Sequence, residues 1–189
     1  MTSEVAAWVG GRAIPVAHVE ERLAALHSGP YAARLPHPDT AEGRNLRRWL
    51  VQAITAEAVV EHEATVRGLV ADDHDGGQGW LTLLDALRVG GVTAAIVATH
   101  PLARALRRDV VPDAAATEDE VHGYYLRNRD RHPEPYEEVR DRIAAELGKA
   151  NHDRHFARWL DERCAALVRV SPGFEHPGDP RHPDAVHRH

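Results

Sequence analysis

Cysteine is nearly absent from this chain, which has Cys164 as its only thiol among 189 residues. A single thiol excludes an internal disulfide, so packing and hydrogen bonds must stabilise the fold. Aromatic residues are also scarce, at 5% of the chain, although hydrophobic residues as a whole make up 43%. Alanine, valine and leucine are therefore expected to fill most of a core, and the length suffices for one domain.

Lysine is the second scarce residue, because Lys149 is the only one and nearly all positive charge is arginine. The formal net charge is −6 at pH 7, and the sequence pI is near 6.1. Nucleic-acid binding requires a basic patch, so this charge balance argues against nucleic acid as the main partner.

Long apolar runs are missing as well. No stretch approaches the roughly 18 uninterrupted apolar residues that a membrane span requires, so no membrane partner is expected. The first residues, MTSEVAAWVGGRAIPV, lack a basic segment followed by a long apolar run, which is the pattern of a secretory signal. We therefore expect a cytoplasmic protein.

Local patterns predict a mainly α-helical chain with a little β-structure at both ends. Two short β-prone runs flank Gly10 and Gly11, which predicts a hairpin over residues 5–14. Apolar residues at helical spacing predict helices over residues 16–27, 41–67, 81–89, 92–106, 118–128 and 136–166. A β-prone run at 167–170 follows the last helix. We expect one helical domain over residues 1–170, with the N- and C-terminal segments paired in a small sheet, and a tail at 171–189 docking on it.

One recognisable pattern pairs the N-terminal segment VAAWVGGRAIPVAHVEERL with the later segment NLRRWLVQAITAEAVVEHEA. A second pattern consists of two helix motifs, formed by Thr117, Glu120, Val121, Tyr124, Tyr125 and Asn128, and by Tyr136, Glu137, Glu138, Val139, Arg140 and Ile143. These two patterns resemble the helical chaperone portion of the SurA/PrsA-type parvulin foldases. The resemblance covers well over half of the chain. It implies a helical scaffold whose closing strand lies beside the first.

The chain departs from this family between the two motifs. Only residues 129–135 lie where the family places its whole isomerase domain. Prolyl isomerase catalysis therefore has no carrier here, and no catalytic residue of the family transfers to this chain. What the resemblance implies is a scaffold whose helices form a groove.

The C-terminal tail carries four histidines in fourteen residues: His176, His182, His187 and His189. Neutral imidazole is a common ligand of transition metals, so the tail predicts a site for Zn, Cu, Ni or Fe. The spacing matches no established metal motif. A polar tail enriched in histidine by compositional bias is the competing interpretation.

The helices supply further candidates. Glu57 and Glu61 are four residues apart on the second long helix and could face a common cavity, with His62 beside them. The Glu-x-x-His spacing of di-metal helical bundles is absent, so a non-functional interpretation of these residues is favoured. His152 and His155 share a helix face, although the interpretation of both as solvent-exposed is favoured. His122 is a weaker candidate for acid–base chemistry, and Cys164 falls on a core stripe and is expected to be inert.

Two functions from different classes remain open. In the first, the foldase scaffold is repurposed as a metal-dependent enzyme that modifies a small molecule through the tail histidines. In the second, the chain is a non-catalytic, chaperone-like module. A groove lined by Trp49, Ile54, Tyr124 and Trp159 then binds a peptide or a protein client.

Overall fold

The computed structural model describes residues 4–30, 32–71, 95–96, 99–111 and 114–179. In chain order its elements are β1 (Val5–Val9), β2 (Arg12–Pro15), α1 (Val16–His27), a 3-10 turn (Ala32–Arg34), α2 (Ala41–Val66), α3 (Pro101–Val110), α4 (Glu118–Arg127), α5 (Tyr136–Leu167) and β3 (Val168–Val170). The fold is mainly helical with one small antiparallel sheet, as predicted. The candidate helix over residues 81–89 lies outside the described residues, and the candidate over 92–106 is described only in part.

The sheet joins the two ends of the described chain. Its strand order is β2-β1-β3, and both neighbours of β1 run antiparallel to it. Gly10 and Gly11 connect β1 to β2 with φ angles of 54° and 87°, the left-handed values that a tight hairpin turn requires. The amide of Gly10 also donates to the carbonyl of Leu167, at 3.1 Å. The predicted hairpin and the predicted pairing with the closing strand are both confirmed.

Helix α2 begins at a side-chain cap. The hydroxyl of Thr40 accepts a hydrogen bond from the amide of Gly43, at 3.1 Å. A Cβ atom at Gly43 would lie 2.0 Å from the carbonyl oxygen of His37, so only glycine fits there. The middle of α2 is buried on several faces, with Val51, Ile54 and Val59 in the core.

Helices α4 and α5 pack through a small apolar cluster of Val121, Tyr125, Val139 and Ile143. Helix α4 begins with a capping box, in which Thr117 and Glu120 bond reciprocally through side chain and backbone. An apolar stripe runs along α5, since Ile143, Phe156 and Leu160 are all buried. No helix within the described ranges is both long enough and apolar enough to cross a membrane.

The chain divides into two compact units. Unit 1 comprises Met1–Leu106 and Leu160–His189, and unit 2 comprises Arg107–Trp159. The sheet and α2 belong to unit 1, whereas α4 and its apolar cluster belong to unit 2. The tail starts by packing within unit 1, because Phe174 is buried and the guanidinium of Arg47 lies 4.6 Å from the centre of its ring.

Candidate ligand-binding site

Unit 1 contains a cavity of about 890 Å³ in which charged residues and histidines meet. Helix α2 contributes one wall, the hairpin and α1 contribute a second, and the start of α3 contributes a third. The lining residues that carry charge or an imidazole are Arg12, His18, Arg22, Glu57, Glu61, His62 and His100. Small-molecule sites in proteins fall in this range of volumes, about 300 to 1,000 Å³.

A buried ion pair forms the floor of the cavity. Arg22 Nη1 donates to Glu57 Oε2 at 2.7 Å, and Arg22 Nη2 donates to Glu57 Oε1 at 3.2 Å. The two side chains are only 4% and 12% exposed. Removing one partner would leave a buried charge uncompensated, so this pair is fixed structure that ties α1 to α2.

A second ion pair lies closer to solvent. Arg12 Nη2 donates to Glu61 Oε2 at 3.1 Å, and the two side chains are 63% and 44% exposed. Exposed pairs of this kind contribute little to stability, about 0 to 1 kcal/mol. This pair therefore places two opposite charges at the cavity without being essential to the fold.

His100 differs from the other lining histidines in its surroundings. It is half-buried, and its Nδ1 atom is shielded from solvent without a hydrogen-bond partner among the described residues. Burial lowers the pKa of His100 below its ordinary value of 6.5, which outweighs the opposing influence of Glu57 and Glu61. The ring is therefore neutral at neutral pH.

The two other histidines have neighbours that orient them. His18 Nδ1 lies 3.7 Å from Glu21 Oε2 on α1. The ring of His62 lies against Gly10, where a Cβ atom would approach it to 2.8 Å. The hairpin glycine thus serves two purposes, because it makes the turn and leaves room for this ring.

The structure describes only one of the four predicted metal ligands in the tail. His176 is exposed, and its Nδ1 accepts a hydrogen bond from the amide of Gly178 at 3.0 Å. His182, His187 and His189 lie outside the described residues. Across the part of the chain that the structure describes, no three His, Cys, Asp or Glu side chains are grouped so that they could hold a metal ion.

The remaining candidates are not among the residues that line the cavity. His122 is exposed and meets Tyr136 edge-on, with ring centres 5.0 Å apart. Of the two histidines predicted to be solvent-exposed on α5, His155 is exposed, whereas His152 is half-buried. Desolvation by burial, with a smaller effect of Asp161, raises the pKa of the Cys164 thiol to about 11, which agrees with the predicted inert role.

The residues of the expected groove fall in both units. Ile54 is buried and Trp49 is half-buried on α2 in unit 1. In unit 2, Tyr124 packs against the apolar cluster and Trp159 stacks on Phe156, with ring centres 5.8 Å apart. The groove stays a prediction.

Sequence reasoning found part of this cavity and missed the rest. Glu57 and Glu61 were identified from their spacing on one helix, and both line it. Arg12, Arg22 and His100 were missed, because they come from segments far apart in the chain. The only local signal for Arg22 is its position on the apolar face of α1, between Val19 and Leu23.

Comparison with known families matches one short segment. Residues 5–42 match a family described as a family of unknown function (DUF7158). The matched segment is well under half of the chain and includes Arg12, His18 and Arg22 of the cavity. No curated protein and no solved structure matches this chain.

Proposed function

We propose that the chain is a non-catalytic binding module, without prolyl isomerase activity, whose ligand occupies the cavity of unit 1. The observation that carries this proposal is a cavity of about 890 Å³ in which Arg12, Glu61 and His100 meet. Its volume falls in the range of small-molecule sites, about 300 to 1,000 Å³. A few charged and polar side chains in such a cavity can orient a bound ligand.

Recognition explains the charges of the cavity better than acid–base chemistry does. Both carboxylates already accept hydrogen bonds from arginines, Glu57 from Arg22 and Glu61 from Arg12. Each carboxylate therefore has a guanidinium as its partner, whereas a general acid or base must lie within hydrogen-bond reach of the proton that it transfers. Paired charges of both signs are suited to orienting a polar molecule.

Nuclear magnetic resonance of the histidine rings tests this function. The full chain is titrated with a defined panel of N-acetylated, C-amidated hexapeptides, free amino acids, sugars and nucleotides. We expect at least one probe to shift the ring signals of His100 in a saturable manner. His100→Phe should abolish binding of that probe while keeping an aromatic ring at this position, and the matched variant His122→Phe in unit 2 should bind normally.

Two results would overturn the proposal. One is a panel in which no probe perturbs His100. The other is a probe whose binding survives His100→Phe and is lost in His122→Phe, since the ligand would then contact unit 2.

That the chain is a metal-dependent enzyme stays a prediction. Metal analysis of the purified protein tests whether the tail histidines bind a metal. Protein purified without a polyhistidine tag is expected to carry about one equivalent of Zn, Cu, Ni or Fe if the tail histidines bind metal. Replacing His176, His182, His187 and His189 by alanine should then remove it, whereas His155→Ala should not. Wild-type protein that lacks metal after growth with all four metals would contradict this prediction.

A further inference from the structure

The two ion pairs of the cavity differ in how many hydrogen-bond donors and acceptors they leave available to a ligand. Arg22 and Glu57 engage each other through two parallel hydrogen bonds and are nearly inaccessible. Arg12 and Glu61 share a single hydrogen bond at 3.1 Å, which leaves other donors of the guanidinium and the second carboxylate oxygen open to solvent. The outer pair is therefore the one that can contact a ligand.

This outer pair presents a positive and a negative charge side by side. A ligand that carries the same two charges in reverse order can lie alongside it, carboxylate beside Arg12 and ammonium beside Glu61. The α-ammonium and α-carboxylate of a free amino acid are separated by one carbon, which places their polar atoms about 3 Å apart. The separation matches the 3.1 Å between Arg12 Nη2 and Glu61 Oε2, so the pair need not open.

The charge balance of the cavity favours the same kind of ligand. Its two arginines and two glutamates sum to zero formal charge, and the histidines His18, His62 and His100 complete the titratable lining. A ligand with a net charge would find no opposite net charge among the arginines and glutamates. A zwitterion brings no net charge into the cavity.

From these observations we infer that the cavity of unit 1 binds a free α-amino acid, with its carboxylate on Arg12 and its ammonium on Glu61. The cavity volume of about 890 Å³ leaves space beyond the two charges for the amino-acid side chain. This inference rests on the proposed binding function and names its ligand class.

Calorimetric titration of the full chain with each of the common L-amino acids tests the inference. At least one is expected to bind, and its N-acetyl and its amide derivatives, which each lack one charge, should bind at least about tenfold more weakly. Arg12→Gln and Glu61→Gln should each weaken binding by a similar factor, since one charge-assisted contact is lost.

Matched controls come from the exposed pair of unit 2, Arg140 and Glu118, whose Nη2 and Oε2 atoms lie 2.6 Å apart. Arg140→Gln and Glu118→Gln remove the same kind of charge and should leave binding unchanged. Thermal unfolding of all four variants shows whether each one folds. For a site variant that fails to fold, a competition experiment with the blocked amino acids on wild-type protein gives the same answer.

The outcomes separate this inference from the binding function on which it rests. Equal binding of free and blocked amino acids, or no binding of any amino acid, overturns the inference. If a blocked hexapeptide still shifts His100 in that case, the binding function stands and its ligand class is different. If no probe of any class shifts His100, both fall.

Discussion

At the scale of single residues, burial controls ionisation at the cavity. His100 is desolvated in unit 1, and this lowers its pKa below the ordinary 6.5 more than the nearby carboxylates of Glu57 and Glu61 raise it. Arg104 adds to the lowering. The folded chain therefore takes up a proton at this site only at lower pH than the unfolded chain does.

This shift predicts how stability depends on pH. Above about pH 6.5 the ring is neutral in both states and contributes nothing. As the pH falls below that value, the unfolded chain binds the proton first, so the wild type loses stability until the pH passes the folded pKa. The unfolding free energy of wild type relative to His100→Phe should decrease from about pH 8 to about pH 5, as measured by urea unfolding. If the unfolding free energy of wild type relative to His100→Phe increased on acidification, the predicted direction of the pKa shift would be contradicted.

Cys164 gives a second prediction at this scale. Desolvation by burial raises the pKa of its thiol to about 11, and the thiolate is the form that reacts. At about pH 8, alkylation by iodoacetamide should be about a hundredfold slower in the folded protein than in urea, where the thiol has a pKa near 8.5. Mass spectrometry of timed samples measures both rates. Comparable rates would show that the thiol is not desolvated in solution.

At the scale of elements, side-chain caps and apolar stripes set where the helices begin and what they bury. Helix α4 begins where Thr117 and Glu120 satisfy each other's backbone amides, at 3.3 Å and 2.8 Å. Glu118 then joins α4 to α5 by accepting hydrogen bonds from Arg140 and Tyr136. Both bonds lower the pKa of the Glu118 carboxyl, and the bond from Arg140 has the larger effect. The start of α4 is thus specified locally and stabilised by its neighbour.

Loss of this cap should destabilise the protein measurably. Thr117→Ala removes the side-chain acceptor and is expected to lower the unfolding free energy by about 1 kcal/mol. Thr117→Ser retains a hydroxyl and should cost much less. Urea unfolding followed by circular dichroism measures both variants, and equal effects of the two would show that the hydroxyl does not cap α4.

At the scale of the whole molecule, the C-terminal segment completes a sheet that the N-terminus begins. Strand β3 pairs with β1, and Ser171 bonds to the Val5 carbonyl through its hydroxyl, at 2.6 Å, and to the Ala6 carbonyl through its amide, at 2.9 Å. Phe174 is buried a few residues later. Unit 1 therefore depends on residues from both ends of the chain.

Two truncations isolate this contribution. A chain that ends at Leu167 lacks β3 and Phe174, whereas a chain that ends at Asp179 retains both. The shorter chain is expected to be less stable than the longer one by at least about 3 kcal/mol, since loss of a buried phenylalanine alone costs that much. Urea unfolding of the two chains gives the difference directly. Equal stabilities would mean that the closing strand adds nothing to unit 1.

The candidate site shows where prediction from sequence stopped. Glu57 and Glu61 could be paired in advance because helical periodicity places residues four apart on the same face. No comparable rule connects them to His100, which lies 39 residues beyond Glu61 in the chain. The tail histidines attracted a functional hypothesis by their density alone, yet His176 is exposed and its Nδ1 already accepts a backbone hydrogen bond.

The sequence by itself determined the elements whose causes are local: the Gly10–Gly11 turn, the cap at Thr117, and the apolar stripe of α5. These depend on backbone conformation and on the period of the helix, both of which a short segment contains. The tertiary structure alone decided that Arg12, Arg22 and His100 meet the carboxylates of α2, and which ion pair is buried. Such meetings depend on long-range packing, and burial in turn decides which charges are fixed and which can contact a ligand.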